Sequence, residues 1–128
     1  MKLTKFEDIE AWQEARRLTE MIYGATKEGQ FSKDYGLRDQ VQRASVSIMA
    51  NIAEGFDSGS DSEFAKFLGY AFRSATEVQS HLYVAMDQGY ITQEQFDEIY
   101  GQAVLVKNLI RGFIRYLKSN VRSPTSNV

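Results

Sequence analysis

Glu77 and His81 stand four residues apart in the stretch EVQSH, and His81 is the sole histidine of the 128-residue chain. A carboxylate beside an imidazole suits proton transfer or metal ligation. A di-iron centre in a helical bundle, however, draws a Glu-x-x-His pair from each of two helices, and one histidine at a spacing of four does not meet that pattern. A hydrogen bond between Glu77 and His81 on one helix face is the expected arrangement. The chain has no cysteine, which removes thiolate nucleophiles, disulfides and Cys-ligated zinc or iron–sulfur sites together. Ser58 and Ser60 sit in the linker DSGSDSE, outside any strand-turn-helix nucleophile elbow, and GFDSGS lacks the Lys-Ser/Thr of a phosphate loop. These residues argue for no catalytic site, no metal, no cofactor and no small-molecule substrate.

The cations are more informative. Residues 99–128 hold five Lys/Arg and no acid, whereas residues 1–98 hold ten Lys/Arg and seventeen Asp/Glu. The five are Lys107, Arg111, Arg115, Lys118 and Arg122, which fall within about 80° of one another on a helix. One reading is nucleic-acid contact, since such a stripe can neutralise several phosphates per subunit and an oligomer would multiply the charge. The other is that cations near a helix C-terminus simply oppose its macrodipole and keep the surface soluble, and acids on neighbouring helices could also cancel them. The net charge of −2 gives no global attraction to nucleic acid.

Four helices must position these residues. The only proline is Pro124, and no strand alternation interrupts the helical periods. The first helix spans about Asp8 to Thr26, with Trp12, Ala15, Thr19, Ile22, Tyr23 and Thr26 on one face. KEGQFSKDYG is a polar loop. The second helix spans about Leu37 to Glu54, with Leu37, Val41, Ala44, Ile48 and Ile52 inward and Gly55 as its left-handed cap. Ser60 with Glu63, and Thr92 with Gln95, are capping boxes that start the third and fourth helices. The third runs to about Gln88 with Phe64, Phe67, Leu68, Ala71, Ala75, Val78, Leu82, Ala85 and Met86 on one arc, and Gly89 ends it. The fourth buries Phe96, Ile99, Ala103, Val106, Ile110, Phe113 and Leu117. The expected fold is all-α, an antiparallel up-and-down four-helix bundle over residues 1–119, followed by a fraying tail over 120–128.

The second helix has more apolar surface than such a bundle can hide. Beside its inward stripe, Val46, Met49, Ala53 and Phe56 form another arc, and a helix apolar nearly all round is buried nearly all round. A second copy of the chain could cover it. The remaining polar line is Arg43, Ser47, Asn51 and Glu54. At an interface these groups would fix the register, because a buried polar group without a partner costs a few kcal/mol. In the plainer reading Arg43 and Glu54 are solvated, and Ser47 and Asn51 merely tolerated. Arg43 and Glu54 lie about 16 Å apart along the axis and cannot pair with each other. The expected subunit interface comprises Arg43, Val46, Ser47, Met49, Ala50, Asn51, Ala53 and Glu54.

The stretches FEDIEAWQEA (6–15), YGLRDQVQRASVSIMANIAEGF (35–56), EFAKFLGYAFRSATEVQSHL (63–82) and GYITQEQFDEI (89–99), in that order, resemble the four-helix bundle protein family encoded in intervening sequences of bacterial 23S rRNA genes. The resemblance implies an antiparallel bundle, a ring of five subunits and no established enzyme activity; related bundles serve as retroelement accessories thought to bind nucleic acid. It also implies recurrent polar positions at Arg43, Ser47, Asn51, Glu54 and Glu77. Many relatives have proline where this chain has Met49, so a straighter second helix is expected here. Nucleic-acid-binding relatives tend to be strongly basic, unlike this chain.

The expectation is therefore a cytoplasmic, non-enzymatic homo-oligomer, pentameric by resemblance, that serves as a binding or scaffold module; the first specific hypothesis is an RNA- or DNA-binding accessory using the fourth-helix stripe. The alternative is a protein-partner adaptor or scaffold without nucleic-acid binding. MKLTKFEDIEAW meets acidic Glu7 and Asp8 before any long apolar run, unlike a signal peptide. No apolar stretch approaches a membrane span.

Overall fold

Side chains that satisfy free backbone N–H groups fix the starts of the last three helices, while the first begins after Ile9 without a side-chain cap. In the computed structural model, which describes the backbone of residues 3–126 and side chains through Ser119, the helices are α1 (Glu10–Thr26), α2 (Tyr35–Asp57), α3 (Asp61–Asp87) and α4 (Gln93–Ser126). Asp34 caps α2 by accepting from the Leu37 N–H at 3.2 Å. Ser60 Oγ accepts from the Glu63 N–H at the start of α3. At α4 the capping box is complete, with Gln95 N–H donating to Thr92 Oγ1 at 3.1 Å and Thr92 N–H to Gln95 Oε1 at 2.8 Å. Gly89, at φ +77°, ends α3. There the Gly89 N–H donates to Met86 O and the Tyr90 N–H to Ala85 O, the paired bonds of a Schellman stop.

Sequence neighbours pack side by side and α4 closes back on α1. The directions follow from the cross-helix bonds. Thr19 reaches Ser45 while Thr26 meets Gln42, so α1 and α2 run antiparallel. Ser74 bonds Ser47, while Phe67, earlier in α3, faces Gly55, later in α2. The core combines Leu37, Val41, Ala44, Ile48 and Ile52 of α2 with the expected α3 and α4 arcs; Phe67, Met86 and Phe113 are half-buried at its rim.

The structure departs from the sequence expectations at several points. Gly55 is not a left-handed cap but a buried residue inside α2, which continues to Asp57; the positive φ falls on Gly59, at +88°. Gly55 is needed for closeness: a Cβ there would stand 2.8 Å from Phe64 Cδ1 and 2.8 Å from Phe67 Cβ. The polar loop between α1 and α2 contains a 3-10 turn, Gly29–Lys33, that inserts Phe31 into the core, where it stacks on Tyr90 at 5.3 Å. The α1 face is rotated, burying Ala11 and Leu18 with Ala15, Ile22 and Thr26 and leaving Tyr23 exposed. A 3-10 turn over Phe6–Asp8 precedes α1, and Phe6 packs edge-on against Trp12. The α4 backbone is helical to Ser126, beyond Ser119. The expected fraying tail over 120–128 thus has a helical backbone to Ser126; its side chains and residues 127–128 lie outside the described residues.

Candidate functional site

The outer face of α2 divides into a strip and a shoulder. Arg43, Val46, Ala50 and Glu54 are exposed, Val46 at 44%. Met49 and Ala53 are half-buried, and Met49 turns toward α1, where its sulfur accepts from Thr19 Oγ1 at 3.4 Å. Ser47 and Asn51 form the shoulder toward α3. Asn51 Nδ2 donates to Ser47 O at 2.9 Å and to Ser47 Oγ at 3.1 Å, and Ser74 Oγ donates to Ser47 Oγ at 3.1 Å. These two polar groups are thus satisfied within the chain. Arg43, Ser47 and Glu77 line one depression of about 410 Å³ with Gln40 and Ala44; Glu54 lies apart from it. Small apolar Val46 and Ala50, flanked by charge, are what the strip presents outward.

The cationic stripe lies along the seam between α4 and α3, and packing divides it. Lys107 is half-buried, donates from Nζ to Gln79 Oε1 at 2.8 Å and sits 4.7 Å from the Phe72 ring centre. Arg111 is exposed, with its guanidinium carbon 5.0 Å from the same ring centre and Nη1 donating to Asn108 Oδ1 at 3.3 Å. Arg115 and Lys118 are exposed. The Arg122 side chain lies outside the described residues.

The one ion pair among the described residues joins Arg38 to Asp39 at 3.0 Å, so no described acid pairs with Lys107, Arg111, Arg115 or Lys118. Lys107 and Arg111 stand roughly five and four turns before Ser126, whereas the macrodipole acts on charges within the last turn. Lys107 and Arg111 therefore lie beyond the reach of that helix end and without a described acid in ion-pair contact.

Aromatic rings continue the seam toward the other end of the bundle. Tyr83 is 49% exposed and lies 4.9 Å from Phe96 and 5.7 Å from Tyr100, ring centre to ring centre; Phe96 and Tyr100 stack at 5.1 Å. Tyr100 and Val104 fall on the same α4 arc as Lys107 and Arg111. The sequence reading missed this extension, although the helical wheel carries it. It also missed Gln79, whose signal is a buried amide on the third helix's otherwise apolar flank; Lys107 satisfies its oxygen, as burial requires.

The expected Glu77–His81 hydrogen bond is absent among the described residues: His81 Nε2 is buried and has no partner. No three His, Asp or Glu residues converge among the described residues. A groove of about 530 Å³ between the start of α1 and α4 is lined by Leu3, Ile9, Leu109, Phe113 and Tyr116. No helix among the described residues is long and apolar enough to cross a membrane.

A family model described as 23S rRNA-intervening sequence protein matches residues 7–112. Among solved structures, the chain is similar to a protein with unknown function from the S23 ribosomal protein family of Bacteroides thetaiotaomicron VPI-5482. That likeness has a TM-score of 0.75 at 25% identity and covers 81% of this chain and 97% of that one. Neither is described as an enzyme. Comparison with curated proteins gives no significant match.

Proposed function

The chain belongs to the 23S rRNA-intervening sequence protein family, and from that premise we propose that it is a non-enzymatic, cytoplasmic, oligomeric helical module that contacts nucleic acid through α4. The observation that carries the reading is a line of cations, Lys107, Arg111, Arg115 and Lys118, on one face of α4 without an ionic partner among the described residues. Phosphates are the natural complement to such a line, and releasing their counterions drives binding. A chain with net charge −2 gains affinity from that local line rather than from its global field. Oligomerisation through Val46 and Ala50 of α2, into the ring of five that the family resemblance implies, would repeat the line on every subunit.

The test is charge reversal. The Arg111→Glu, Arg115→Glu double variant is expected to abolish binding to a structured RNA while far-UV circular dichroism keeps its helical signal. Binding of unchanged strength would rule the reading out. A protein-adaptor role is the second reading, favoured by the apolar α1–α4 groove with Phe113 and the 59%-exposed Tyr116 on its wall. Salt-insensitive co-purification of one specific protein, lost in Phe113→Asp, would support it instead.

A further inference from the structure

The cations explain affinity for phosphate but not the rings in line with them. Tyr83 is half exposed, yet Phe96 and Tyr100 of α4 pack its ring. A ring so braced is ordered before any ligand arrives, so stacking a flat group on it sacrifices little side-chain freedom. Val104, 38% exposed, lies on the same arc between Tyr100 and Lys107 and extends the apolar surface toward Phe72. One half of the seam is thus aromatic and apolar, and the other cationic.

A double helix fits this division poorly, because its bases are already stacked and present only edges and phosphates. Unpaired nucleotides fit both halves: their bases have free faces for aromatic rings, and their backbone follows a cationic track. From Tyr100 to Lys118 the seam runs about 27 Å along α4, and the cations step by about 6 Å where they are four residues apart. That length accommodates several nucleotides, the scale of a single-strand site.

We infer that the α3–α4 seam binds single-stranded RNA or DNA, with a base stacked on Tyr83 beside Tyr100 and the following phosphates on Arg111, Arg115 and Lys118. This rests on the nucleic-acid reading above and adds to it the selection of unpaired strands. Lys107, held by Gln79 and Phe72, orders the middle of the seam.

The experiment is fluorescence anisotropy with labelled oligouridylate, oligothymidylate and an RNA duplex of equal length, on the full chain in its native assembly. The wild type is expected to bind both single strands more tightly than the duplex. Tyr83→Ala should weaken single-strand binding about tenfold, as loss of one base–ring stack does, and leave duplex binding unaltered. Tyr83→Phe should retain wild-type affinity. Tyr83→Leu, which keeps apolar bulk without a π face, should behave as the alanine variant even if the latter folds poorly. Arg115→Glu should weaken binding to every probe. Equal affinity for duplex and single strand, with Tyr83→Leu at wild-type strength, would overturn the inference while leaving the nucleic-acid reading standing. Binding to none of the three probes would overturn both.

Discussion

Arg111 holds its guanidinium carbon 5.0 Å from the centre of the Phe72 ring, on a different helix, and the Lys107 ammonium shares that ring at 4.7 Å. The face of an aromatic ring is its negative region, so one phenylalanine offsets part of the repulsion between two cations a turn apart and fastens α4 to α3. Replacing Phe72 by leucine keeps apolar volume but removes that attraction. The expected loss is about 1 kcal/mol, read as a lower urea midpoint at unchanged slope. A midpoint equal to wild type would show that the ring acts only as bulk.

Gly55 and Gly101 are both helical glycines with opposite surroundings. Alanine is favoured over glycine in a helix by about 1 kcal/mol, and Gly101 has nothing within 4 Å of an added Cβ. Gly101→Ala is therefore expected to raise the melting temperature. At Gly55 the same methyl meets Phe64 and Phe67 at 2.8 Å, and overpacking of about 1–3 kcal/mol outweighs the helical gain. Gly55→Ala should lower the melting temperature.

The Tyr90 hydroxyl donates to Asp34 Oδ2 at 2.8 Å, joining the α3–α4 turn to the cap of α2. That bond, with lesser contributions from burial and the Asp34 charge, holds the Tyr90 pKa above the ordinary tyrosine value of 10.0. A group whose pKa is raised by folding stabilises the fold fully below its unfolded pKa and loses that contribution as pH rises through the folded one. Stability should accordingly fall above about pH 10, and Tyr90→Phe should flatten that part of the profile. Thermal melts across the alkaline range check it.

These contrasts show what the sequence could and could not disclose. The inward arcs of α2, α3 and α4 were legible because a helical period is a local property, as were the Ser60 and Thr92 caps and the Gly89 stop. Gly55 was misread because its neighbours, Phe64 and Phe67, belong to the next helix, and a buried glycine before a linker resembles a cap. Phe31 was missed because its loop is polar on either side. For the site, the angular line from Lys107 to Lys118 followed from spacing alone. Its division into engaged Lys107 and exposed Arg115 depends on the register between α3 and α4, which places Phe72 and Gln79 opposite and leaves no trace in either helix alone.

Ala50 is exposed at the middle of the α2 strip, so a longer acidic side chain there meets no neighbour within its own subunit. Ala50→Glu is expected to dissociate the assembly while leaving helicity intact, seen as a fall to single-subunit mass by light scattering. An unaltered mass would place the subunit contact elsewhere.

The most direct test of the α4 account is the slope of log affinity against log salt for a labelled single-stranded RNA. Wild type is expected to lose affinity steeply, by about 0.7 in slope per phosphate contacted on a single strand. Arg111→Ala and Arg115→Ala should each reduce that slope by about one. A shallow slope shared by wild type and both variants would contradict the account, for it would mean that no phosphate rests on these arginines.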